Sequence, residues 1–123
     1  MLGGMALPAP IPDGLVELIA QRFRVLGEPT RIRLLDSLRD GPATVVELQA
    51  RTGASQQNVS KHLGTLLEAG LVRRAKDGNR SYYSIADDSL FDLCEQVCGS
   101  LRRQAARLDS LLQLEGLEGE PVR

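Results

Sequence analysis

Residues 44–85, TVVELQARTGASQQNVSKHLGTLLEAGLVRRAKDGNRSYYSI, decide the fold. Thr44 stands three residues before Glu47, the spacing of a capping box, and Val45, Val46, Leu48 and Ala50 follow. Gly53 closes this short helix. Ser55 then caps a second helix that runs to about Ala69 and is closed by Gly70. Its apolar positions are Val59, Leu63, Leu66 and Leu67, while Gln56, Gln57, Ser60 and Lys61 form a polar face. Leu71 to Ala75 reads as a strand. Asp77-Gly78-Asn79 reads as a tight turn, because Gly and Asn accept the positive φ such turns need, and Ser81 to Ile85 reads as the return strand.

Helix, tight turn, polar helix and basic hairpin, in that order, predict a winged helix-turn-helix. This architecture places one helix in a DNA groove with a hairpin beside it. Working toward the N-terminus, Ile32, Leu34, Leu35 and Leu38 supply the apolar face of a helix that starts near Pro29 and stops at Asp40-Gly41-Pro42. Before it, Leu15, Val16, Leu18, Ile19, Phe23 and Leu26 form an amphipathic helix, with Asp13 as N-cap and Gly27 as stop. Toward the C-terminus, a long helix runs from about Ser89 to about Leu114. Within it Phe91, Cys94, Cys98, Leu101, Ala105, Leu108 and Leu112 are spaced alternately three and four apart, an a/d seam. The whole is mainly α with a small β-hairpin, α1-α2-α3-α4-β-β-α5. A domain this small has difficulty burying both that seam and Leu15, Leu18 and Ile19 of the first helix, so a homodimer through α1 and α5 is expected. A fifth helix folded back on its own domain is the alternative.

Charge is distributed in keeping with this. The 123 residues sum to −1. Within 55–83, however, Lys61, Arg73, Arg74, Lys76 and Arg80 face only Glu68 and Asp77. No apolar run approaches the roughly 20 residues that span a bilayer, so no membrane partner is expected. Residues 1–12 read as a flexible proline-bearing arm rather than a signal peptide, 13–114 as one winged-helix domain, and 115–123 as a frayed acidic tail. Two cysteines without an export signal imply reduced thiols and a cytoplasmic protein.

LGEPTRIRLLDSL, VVELQARTGASQQNVSKHLGTLLEAGLV and the DGNRSYYSI wing, from Phe23 to Ala86, resemble the ArsR/SmtB family of bacterial repressors. The resemblance implies a dimeric winged-helix repressor of an operon, released from its operator by a metal, metalloid or oxidant. The family's cysteine site at the start of helix 3 has no counterpart, because Thr44 and Val46 occupy the thiol positions. Of the family's zinc site on helix 5, only Asp87 has a match; Ser89, Ser100 and Arg103 stand at the other positions. One carboxylate without imidazoles does not make a tetrahedral zinc site, which argues against zinc there.

For double-stranded operator DNA the candidate contacts are Ser55, Gln56, Gln57, Ser60, Lys61 and His62 in the second helix of the motif, and Lys76 and Arg80 in the wing. Gln can pair with adenine in the major groove, and Lys and Arg neutralise phosphates. Arg73 and Arg74 alternate along a strand, as do Tyr82 and Tyr83, so one of each pair faces away from DNA and one tyrosine belongs to the core. Cys94 and Cys98, four apart on one helix face, are the candidate sensor. Their thiolates suit As(III), cadmium or mercury. Oxidation or persulfide chemistry is a second reading, and packing of small apolar side chains without sensing a third. No catalytic constellation is present in the sequence: the single histidine lies in the polar helix and there is no Gly-rich phosphate loop. A winged helix that binds protein is a remoter alternative, disfavoured by the basic, amide-rich surface.

Overall fold

The computed structural model describes residues 7–114. The elements run α1 (Asp13–Leu26), α2 (Pro29–Ser37), a 3₁₀ turn (Leu38–Asp40), α3 (Val45–Thr52), α4 (Gln56–Glu68), β1 (Val72–Asp77), β2 (Arg80–Ile85) and α5 (Ser89–Leu114). This is the winged helix-turn-helix order that the sequence predicts. Leu7–Pro12, the described part of the expected arm, carries no helix or strand. Residues 1–6 of that arm and the expected tail at 115–123 lie outside the described residues.

Local chemistry accounts for most boundaries. Thr44 Oγ1 accepts from the Glu47 N–H at 3.2 Å, and Glu47 Oε1 accepts from the Thr44 N–H at 2.9 Å, so the capping box is closed in both directions. Gly53 follows α3 at φ 76°, a left-handed position that costs Gly nothing. Ser55 Oγ accepts from the Asn58 N–H at 3.1 Å and starts α4. The start of α1 and the turn of the wing differ from expectation, and α2, which starts at Pro29 as expected, has a cap the sequence reading does not name. Pro12, not Asp13, is the N-cap of α1, and Asp13 sits inside the first turn, where its charge favours the helix dipole. The cap of α2 is Glu28, whose carboxylate accepts from the Thr30 and Arg31 N–H groups. In the wing, Asp77 pairs with Arg80, leaving Gly78-Asn79 as the loop, and only Gly78 takes a positive φ.

The residues to Asp87 form one compact unit and α5 belongs to a second. In the first unit Leu34, Leu35, Leu38, Leu48, Val59, Leu63, Leu66 and Leu71 are buried almost completely. The hairpin is joined to this core at its base, where Ala43 and Tyr83 exchange backbone hydrogen bonds of 2.9 and 2.8 Å. Tyr83 is the buried tyrosine of the pair and Tyr82 is half-buried. Several residues placed on apolar faces by spacing are exposed: Ile32 on α2, Val46 on α3, and Val16, Leu18 and Phe23 on α1, with Leu67 only half-buried.

The second unit is the 26-residue α5, about 39 Å long at 1.5 Å per residue. Along its seam Cys94, Cys98, Leu101, Ala105 and Leu108 are exposed, and Phe91 and Leu112 are half-buried. Leu93 is half-buried, whereas Val97 and Leu111 beside the seam are exposed. No described helix is long and apolar enough to cross a membrane.

Candidate nucleic-acid interface

The outward side of α4 is the candidate interface. Val59, Leu63 and Leu66 hold the helix against the core, which leaves Gln56, Gln57, Ser60 and Lys61 exposed together. Ser55 is exposed at the head of the same helix, with its hydroxyl committed to capping. Asn58, not among the contacts expected from the sequence, is exposed as well and adds a third amide. Its position immediately after two exposed glutamines is the signal that identifies it.

His62 does not belong to this surface. It is 6% exposed and lies on the core side of α4, three residues after Val59 and four before Leu66. Its Nδ1 lies 3.1 Å from Arg31 Nη1, and its Nε2 is 3.9 Å from Glu28 Oε1. The candidate contact set therefore loses its histidine to the protein interior.

The wing is basic, but its two candidate cations lie on opposite faces of the hairpin. The register sets Arg74 opposite Tyr83 and Asp77 opposite Arg80. Side chains alternate along a strand, so Lys76 shares the face of Arg74 and Tyr83, and Arg80 lies on the other. Arg80 lines, with Thr44, Val45, Val46, Glu47 and Ser81, a shallow cavity of about 370 Å³ over the first turn of α3. There its charge reaches Glu47. That carboxyl is held below its ordinary value by the Thr44 N–H, against the opposing effect of burial, with help from the Thr44 hydroxyl, Arg51 and Arg80. Arg73 donates to the carbonyls of Ile85 and Ala86 at 3.4 and 3.5 Å and lies along the hairpin. Arg74 and Lys76 are exposed.

On α5 Cys94 and Cys98 are exposed free thiols one turn apart. Among the described residues no group of three or more His, Cys, Asp or Glu side chains is arranged to hold a metal ion. Asp87, the one match to the family's helix 5 zinc site, lies 3.8 Å from Arg22 Nη1, so a guanidinium neighbours that carboxylate.

A core-anchored helix with an exposed amide and lysine face, preceded by a short helix and followed by a basic hairpin, defines a winged helix-turn-helix DNA-binding protein. Residues 26–75 match the family model described as a helix-turn-helix domain. Over 119 residues the chain is 34% identical to a probable mercury resistance operon repressor of Streptomyces lividans, covering 97% of this chain and 94% of that one. The crystal structure of Rv0081 from Mycobacterium tuberculosis is similar at TM-score 0.70 and 34% identity, over 78% of this chain and 97% of that one. The solution structure of the homodimeric winged-helix domain of Mb0332 from Mycobacterium bovis, a possible ArsR-family regulator, is similar at TM-score 0.65 and 27% identity, over 82% and 94%. The chain belongs to the ArsR/SmtB family of winged helix-turn-helix transcriptional repressors.

Proposed function

We propose that this repressor binds a pseudo-palindromic operator as a homodimer and leaves it when a thiophilic metal or metalloid engages Cys94 and Cys98. The observation that carries the DNA-binding reading is the outward strip of Gln56, Gln57, Asn58, Ser60 and Lys61, held in place by a leucine-rich inner face. Amides in the major groove read adenine, and Lys61, Arg74 and Lys76 neutralise phosphates. Two-fold symmetry then sets two α4 helices in successive major grooves about 34 Å apart. Dimerisation uses the exposed apolar residues of α1 and α5, which a lone chain leaves in water.

Mercury(II), arsenite and cadmium are the inducer class that two soft thiolates on one helix face select. The name of the Streptomyces lividans relative supports mercury. Metal must favour the DNA-free arrangement of the two protomers over the DNA-bound one, since a ligand of equal affinity for both shifts nothing. The test is operator binding by fluorescence anisotropy for the wild type and Cys94→Ser/Cys98→Ser, each titrated with mercury(II), arsenite, cadmium and zinc, and separately with a mild oxidant. Release of the wild type alone by a soft metal is the expected result. Release by oxidant only, or equal behaviour of both proteins, overturns the metal reading.

A further inference from the structure

α1 ends at Leu26, so the carbonyls of its last turn have no partner within the helix. Arg31, in the first turn of α2, supplies one. Its Nε donates to the Val25 carbonyl at 2.6 Å and its Nη2 reaches the Arg24 carbonyl at 3.5 Å. The third arm of the same guanidinium, Nη1, meets His62 Nδ1 in the middle of α4. An arginine can only donate, so Nδ1 accepts and the imidazole proton sits on Nε2, turned toward Glu28. Glu28 in turn accepts from the Arg31 N–H at 3.2 Å. One side chain therefore ties the end of α1, the start of α2 and the centre of α4.

We propose that Arg31 and His62 are positioning residues for operator recognition, setting the rotation of α4 about its axis relative to α1. The proposal rests on the reading of α4 as the operator-binding helix. Leucine packing alone tolerates small slides and rotations of a helix, whereas a hydrogen bond weakens steeply as its angle departs from linear. His62 adjoins Lys61 in the chain, so fixing the direction of its ring fixes the direction in which Lys61, Gln57 and Asn58 project. A second tie runs parallel: Arg22 of α1 donates to the Ala69 carbonyl at the C-terminal end of α4, at 3.2 Å. α1 is thus linked to the recognition helix at its middle through Arg31 of α2 and at its end by its own Arg22. Neither Arg31 nor His62 touches DNA in this arrangement; both act through α4.

The test compares an operator duplex with an unrelated duplex at several salt concentrations. His62→Leu keeps the apolar volume and removes the acceptor, and Arg31→Met removes the donors. His62→Asn places Oδ1 where Nδ1 stood. Each leucine or methionine variant should lose about ten-fold in operator affinity, the scale of a hydrogen bond to a charged group. Affinity for the unrelated duplex should hold, as should the salt slope of His62→Leu, because no phosphate contact is removed. The double variant should be no weaker than the weaker single one, and His62→Asn should restore most of the loss. Additive losses, a changed salt slope for His62→Leu, or operator preference unaltered in both single variants overturns the proposal. Long-range ¹H–¹⁵N spectra of the wild-type imidazole give an independent check if a variant fails to fold. A proton on Nε2 is expected, and one on Nδ1 refutes the geometry. A wild type with no operator preference instead defeats the reading of the preceding subsection.

Discussion

Leu101 lies at the middle of the α5 seam and is 58% exposed in the single chain. Complete burial of a leucine side chain stabilises by roughly 1.5–3 kcal/mol, so covering the remaining surface of Leu101 contributes about 1–1.5 kcal/mol per protomer. A two-fold interface counts each residue twice, and Leu101→Ala should therefore weaken the dimer by about 2–3 kcal/mol. That corresponds to a rise in dissociation constant of roughly 30- to 150-fold. Sedimentation equilibrium over a dilution series measures it directly. Circular dichroism should be unchanged, because alanine keeps the helix and most of the Leu101 side chain is exposed within one chain. Leu101→Glu, which would set two carboxylates into the same seam, should give monomers at micromolar concentration. A dissociation constant unchanged by Leu101→Ala, or a dimer that survives Leu101→Glu, would refute the seam.

Two further results follow from the first unit. Leu63 is fully buried on the inner face of α4, so Leu63→Ala should cost about 3 kcal/mol in urea unfolding with little change in slope; a loss under 1 kcal/mol would show that α4 is not anchored there. The carboxyl of Glu28 is held below its ordinary value of 4.5: burial opposes ionisation, but the Arg31 and Thr30 N–H groups, with His62 and the Arg31 guanidinium nearby, outweigh it. The stability this contributes is present above about pH 4.5 and is lost as pH falls through the lowered value, so Glu28→Gln should be less stable than wild type at pH 7 and converge with it in acid. A stability difference that does not vary with pH would contradict the charged cap.

Much of the fold was legible because its signals are local. Thr44 with Glu47, Ser55, and the glycines at 53, 70 and 78 act within a few residues of themselves, and the leucines of α4 follow the helix period. The cap at Glu28 was missed because glutamate is not among the preferred N-cap residues, although its longer side chain reaches the same N–H groups. His62 was misplaced on the DNA side by its chemistry. Its spacing from Val59 and Leu66 already set it on the inner face, and only the partner Arg31, 31 residues earlier, makes burial of an imidazole tolerable. The wing shows the opposite limit. Its cations are plain in the sequence, but which of Lys76 and Arg80 faces which way depends on the register, and the register on the turn having two residues rather than three.

The central claim is that the outer face of α4 reads operator DNA. It is tested most directly by anisotropy titrations of a labelled operator and an unrelated duplex with wild type, Gln57→Ala and Lys61→Ala across a salt series. Gln57→Ala should lose roughly 1–3 kcal/mol of discrimination between the duplexes with an unchanged salt slope. Lys61→Ala should weaken binding to both and lower the slope by about one. If both variants bind both duplexes as wild type does, the helix faces something other than DNA, and the account is wrong.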